Sequence, residues 1–95
     1  MTVGMIAFHY PRPAHFDEFV ARVHRVRDAF LGTPGCMSAD VWTTPDDEAV
    51  VSTVTWESDE AFAASFAAVK ESAGDDIVFD ERESRAREIT TLRSR

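Results

Sequence analysis

The sequence predicts an α+β fold of the ferredoxin-like kind, βαββαβ, with a four-stranded antiparallel sheet. Three observations predict it. Strand-like and helix-like segments alternate in that order along the chain. Two segments repeat their apolar residues at three- and four-residue steps, so each presents one sticky face. The length, 95 residues, suits one core and one domain spanning 1–95.

Val3 to Tyr10 is short and apolar and stops at Pro11-Arg12-Pro13, where a proline cannot donate to a ladder. It reads as the first strand. His15 to Leu31 carries Phe16, Phe19, Val20, Val23, Val26, Phe30 and Leu31 on one helical face. Gly32 and Pro34 end that helix, while its start lacks a capping Ser, Thr, Asp or Asn. Cys36 to Thr44 alternates, with Met37, Ala39 and Val41 opposite Cys36, Ser38, Asp40 and Trp42. The turn residues Thr44 to Glu48 then lead into Ala49 to Trp56, rich in Val and Thr, which makes a hairpin. Ser58 can cap a second helix whose buried stripe is Phe62, Phe66, Val69 and Ala73. A fourth strand covers about Arg85 to Leu92. With both helices on one side of the sheet, the other side is bare. Trp42 lies opposite the Met37, Ala39 and Val41 set, so both sheet faces carry sizeable side chains, and a face-to-face homodimer that buries the uncovered one is expected.

Composition narrows the function. Seventeen acidic residues against ten basic ones leave a net charge of −7, which disfavours nucleic acid and anionic membrane surfaces. The lone Cys36 excludes an internal disulfide and reads as an inert core thiol. No signal peptide or membrane-spanning run is evident, so a cytoplasmic protein is expected. Three His without a His-x-x-x-His pair make no metal set, and no glycine-rich phosphate loop follows a strand. Neither a metal nor an organic cofactor is expected. The acidic run Asp75-Asp76 and Asp80 to Glu83 reads as a solvated face.

The stretch Val50-Val51-Ser52-Thr53-Val54-Thr55-Trp56-Glu57-Ser58-Asp59-Glu60-Ala61-Phe62, with Thr33-Pro34-Gly35-Cys36 before it, resembles the antibiotic biosynthesis monooxygenase superfamily. The likeness covers nearly the whole chain, most weakly after Lys70. It implies a dimeric α/β barrel, and cofactor-independent oxygenation in which the substrate supplies the electrons. Its anthrone monooxygenases carry Trp, Asn and Tyr where this chain has Trp56, Ser52 and Phe62, and an Arg near Asp76. Only the Trp is retained. The heme-degrading branch carries residues that would fall at Ser65, near Asp75 and near Ile6, and none of them is present.

Candidate site residues follow. Ser52, Val54 and Trp56 share one strand face, which in the resembling enzymes lines a helix–sheet pocket. Trp56 would be an aromatic wall for a hydrophobic, aromatic, polyketide-like substrate, with Phe62 and Val54 beside it and Ser52 as a secondary donor. Arg27 falls inside the apolar arc of helix one and is the expected stabiliser of a substrate anion. His24 flanks the same arc and is the expected proton acceptor. Ile6, Phe8 and Tyr10 form the more apolar side of strand one, which directs His9 toward the dimer side. His15 receives no role. Two other readings fit the same sequence. One is a non-catalytic dimer that binds a small molecule or a partner; the other is a cyclase or isomerase using the same acid–base residues.

Overall fold

A computed structural model describes all residues, 1–95. Strand β1 spans Val3–His9, helix α1 Phe16–Leu31, β2 Cys36–Thr43, β3 Val50–Trp56, α2 Asp59–Ile77 and β4 Glu88–Arg93. The sheet is antiparallel with order β2-β3-β1-β4, so the ferredoxin-like expectation holds. Boundaries move by a residue or two, except that β4 starts at Glu88 rather than near Arg85.

Local chemistry explains the ends. A 3-10 turn over Pro13–His15 feeds α1, whose N-cap His15 makes no side-chain cap bond. Asp17 and Glu18 in the first turn oppose the helix dipole in its place. At α2 the Ser58 hydroxyl accepts from the Ala61 amide at 3.1 Å, the N-cap bond its sequence position requires. Gly35 is needed where α1 hands over to β2. Its φ is +82°, and a Cβ there would stand 2.5 Å from the Ala61 Cβ, so a side chain meets both strain and collision.

The register sets what faces the helices. Val3, Met5, Ala7 and His9 of β1 pair with Trp56, Val54, Ser52 and Val50 of β3. Val3, Met5, Ala7, Val50, Val54 and Trp56 are buried under α1 and α2. The expected facing of β1 is therefore reversed: Ile6 and Phe8 lie on the open side of the sheet, and His9 turns inward. Apolarity misleads here because both sides of the sheet are apolar. A bulge between Cys36 and Ser38 also changes the parity of β2. Cys36 packs against the core with Ala39, while Met37 is exposed. Burial raises the Cys36 thiol's pKa, which keeps it protonated and unreactive.

Two apolar clusters share the interior. One gathers Val3, Met5, Phe30, Ala39, Val54, Trp56 and Val69; the other gathers Phe19, Val23 and Val50. Ser65, outside the expected stripe of α2, is buried because its hydroxyl meets Thr33 Oγ1 at 2.5 Å. That bond satisfies both hydroxyls where the two helices touch.

Helix α2 breaks at Ala73, which has φ −136° and ψ 28°, just before Gly74. Its last turn is thereby redirected toward α1. There Arg22, 1% exposed, donates from Nε to the Asp76 carbonyl at 2.6 Å and from Nη2 to the Val78 carbonyl. Arg87 donates to the Ile77 carbonyl at 2.8 Å. Two guanidiniums thus serve the orphan carbonyls of one helix end, where the dipole favours cations. The acidic run is correspondingly not a solvated face throughout. Glu83 is buried and holds Arg87, and Asp76 holds Arg25 at 2.8 Å.

Candidate functional site

A cavity of about 40 Å³ lies between the two apolar clusters. Helix α1 supplies Phe19, Val23, Val26, Arg27 and Phe30 to its wall, and β3 supplies Ser52 and Val54. His9 comes from β1, Asp76 and Ile77 from the end of α2, and Arg87 from the segment before β4. The space takes a few water-sized guests and is much smaller than the roughly 300–1,000 Å³ of drug-sized ligand pockets.

Of the six residues expected at the site, three line this cavity: Arg27, Ser52 and Val54. Arg27 is about one-third exposed, and its Nη2 stands 2.9 Å from Asp28 Oδ1. Its stem borders the cavity while its head is held at the rim. Such a partly exposed pair contributes roughly 0–1 kcal/mol, so Asp28 can be exchanged for another anion at small cost.

The other three lie elsewhere. His24 is exposed on the outer side of α1, outside the cavity wall. One helical position separates it from the buried Val23, and that is enough to turn it to solvent. Trp56 is wholly buried in the larger apolar cluster. Its ring meets Phe30 edge-on at 5.6 Å and Phe62 tilted at 4.7 Å. The indole and Phe62 therefore face each other rather than the void, which corrects the expectation of an open aromatic wall. The indole Nε1 has no hydrogen-bond partner in the core.

The inward turn of His9 places an imidazole where no catalytic role was expected. Its ring packs on Phe19 at 5.6 Å, and its Nδ1 faces Glu83 Oε1 at 3.5 Å. Burial first, then the Arg87 charge, lowers the His9 pKa from 6.5 to about 4, against the opposing pull of Glu83. The imidazole is therefore neutral near pH 7. Glu83 also binds Arg87, Nη2 to Oε2, at 2.5 Å. Period-two counting from Val3 would have found His9, since Val3, Met5, Ala7 and His9 share one face. Nothing in the sequence brings Glu83 and Arg87 to it, because the contact spans more than seventy residues.

These features define a class: a ferredoxin-like α+β protein with a small helix–sheet cavity that is apolar on one side and ionisable on the other. The family model for antibiotic biosynthesis monooxygenases matches residues 2–70. The chain belongs to that family. Its fold is similar to that of SnoaB, a cofactor-independent oxygenase from Streptomyces nogalater solved as a mutant. That likeness has a TM-score of 0.81 and 18% identity, over 99% of this chain and 93% of the other. It is also similar to a conserved protein from Methanosarcina mazei, at a TM-score of 0.83 and 16% identity, over 100% and 94% of the two chains. A third likeness is to Rv0793 from Mycobacterium tuberculosis, at 0.76 and 19%, over 99% and 95%. No curated protein matches the chain in sequence. No helix is long and apolar enough to cross a membrane.

Proposed function

We propose that this protein is a cofactor-independent monooxygenase that deprotonates a small hydrophobic, aromatic molecule at the helix–sheet cavity. The observation that carries the reading is the meeting of an apolar wall, a rim guanidinium (Arg27) and an uncharged imidazole in one cavity. Removal of a proton leaves an electron-rich substrate anion, and Arg27 stabilises it by charge. Dioxygen then accepts the substrate's electrons. For an activated methylene, one oxygen atom becomes the carbonyl, and the other leaves as water with the two hydrogens. Ser52 supplies a hydroxyl to the wall, and Val54 supplies apolar surface. Admitting a ring system requires the cavity to widen beyond its void of about 40 Å³.

Oxygen uptake with anthrones or polycyclic phenols, without added flavin, heme or metal, tests this. One O₂ consumed per substrate is expected. Arg27→Ala should weaken binding of the anionic form by about 10–100-fold, the value of a charged hydrogen bond of roughly 1.5–3 kcal/mol. Absence of both uptake and binding ends the oxygenase reading.

A second reading is a non-catalytic small-molecule-binding dimer of the same fold, favoured by the sealed Trp56 and the small void. Oxygen uptake and oxidised product would both be absent in that case, while ligand binding would persist. Oxygen-independent conversion of the substrate would mark a cyclase or isomerase instead.

Both readings include a homodimer through the open side of the sheet. Ile6, Phe8 and Val51 lie there with Trp42, which is 59% exposed. Covering that apolar surface favours association. A dimer's mass in sedimentation equilibrium is expected, with Trp42→Glu shifting it toward the monomer; a wild-type monomer at micromolar concentration would refute the pairing.

A further inference from the structure

We infer that His9 is the proton acceptor of the cavity and that Glu83 positions it, the two forming a buried dyad that Arg87 locks in place. The inference deepens the function proposed above and rests on it for the identity of the reaction. Its geometry rests on the dyad alone.

Four of the five buried polar side-chain atoms without a hydrogen-bond partner belong to one cluster: His9 Nδ1, Arg22 Nη1, Glu83 Oε1 and Arg87 Nε. Unpaired polar atoms are costly in a core, so their concentration beside a cavity marks a place kept for chemistry rather than for stability. Glu83 has a fully buried side chain, which is rare for a carboxylate without a purpose. One of its oxygens is held by Arg87, and the other is left facing His9 Nδ1. Arg87 is in turn anchored on the Ile77 carbonyl at the end of α2.

The consequence is a fixed tautomer. A carboxylate 3.5 Å from Nδ1 draws the ring proton to that nitrogen by charge, which leaves the Nε2 lone pair free. His9 lines the cavity, and its buried Nδ1 is the nitrogen held toward Glu83, so the free lone pair is the one on Nε2. The groups that face His9 are Glu83 and Arg87 from the segment before β4 and Arg22 and Phe19 from α1. Burial first, then the charge of Arg87, keeps the ring uncharged before substrate arrives, against the pull of Glu83. When a phenol O–H or activated C–H breaks, its proton moves to Nε2 and its electron pair stays on the substrate. Glu83 then faces an imidazolium and offsets its charge, as an orienting carboxylate does. His24 cannot do this, because it stands outside the cavity wall.

Nitrogen-15 NMR of histidine-labelled full-length protein tests the dyad without any substrate. His9 is expected as the neutral Nδ1–H tautomer from pH 7 to about pH 5. In Glu83→Gln its proton uptake moves to lower pH, because the carboxylate that raises its pKa is gone. A neutral Nε2–H tautomer in wild type, or no change in Glu83→Gln, overturns the inference. With an oxidised substrate in hand, His9→Gln should lower kcat about 100-fold or more with KM little changed, and Glu83→Asp should recover part of the loss seen in Glu83→Gln. A His9→Gln enzyme with wild-type kcat overturns His9 as the acceptor while leaving the oxygenase reading intact. Failure of the wild type to oxidise any substrate removes the reaction, and the NMR result still decides the dyad.

Discussion

Arg22→Ala is expected to destabilise the protein by about 3–5 kcal/mol, the scale of breaking a buried ionic contact. The guanidinium is 1% exposed and joins α1 to the end of α2 through the carbonyls of Asp76 and Val78, with Asp80 at 3.7 Å. Its loss removes the donors and leaves the acceptors in place, so the desolvation already incurred is no longer offset. Its guanidinium also lies over the Phe19 ring, the central carbon 5.2 Å from the centroid. A domain of this length has roughly 5–14 kcal/mol in total, at about 0.05–0.15 per residue. Arg22→Lys should recover only part, because an ammonium cannot spread across several carbonyls as a planar fork does. Urea midpoints at constant m-value measure the effect, and hydrogen exchange should show the last turn of α2 opening first. A midpoint for Arg22→Ala that corresponds to less than about 1 kcal/mol would show that water replaces the guanidinium.

Trp56→Ala is the second large effect, again about 3–5 kcal/mol, as for other aromatic truncations in cores. The indole is 0% exposed and touches Phe30 and Phe62, so its removal empties the middle of the larger cluster. Trp56→Phe should cost much less. It keeps most of the ring area and deletes an indole N–H that has no acceptor in the core. The pair of variants separates packing from substrate contact. If Trp56→Phe is nearly as stable as wild type and binds aromatic ligands equally well, the indole is a core residue. If Trp56→Ala melts like wild type, the cluster repacks and the buried placement of Trp56 has little energetic meaning.

The two experiments bear on why parts of the site were legible and others were not. Arg27, Ser52 and Val54 lie on the cavity wall where a local period puts them: Arg27 by the helical arc, and the β3 pair by strand alternation. His24 followed from the same arc and missed by one helical step, about 100°. That is the resolution limit of a wheel drawn without a partner. Trp56 was placed on the correct side of the sheet. Whether it met a void or a neighbour depended on Phe30 and Phe62, which arrive from two different helices. The sequence does not single out Arg22, because a charged residue flanked by apolar ones on a helix normally extends its head to water. Here the break at Ala73 brings carbonyls to it instead.

Element order, strand and helix periods and the Ser58 cap follow from the chain alone, since each depends on neighbours a few residues apart. The inward turn of His9, its meeting with Glu83 and Arg87, and the sealing of Trp56 came only with the assembled fold. Strand facing depends on which of two apolar sides the helices cover, and that choice belongs to long-range pairing. The dyad joins β1 to a segment more than seventy residues away, and no local pattern records a contact made by closure of the sheet.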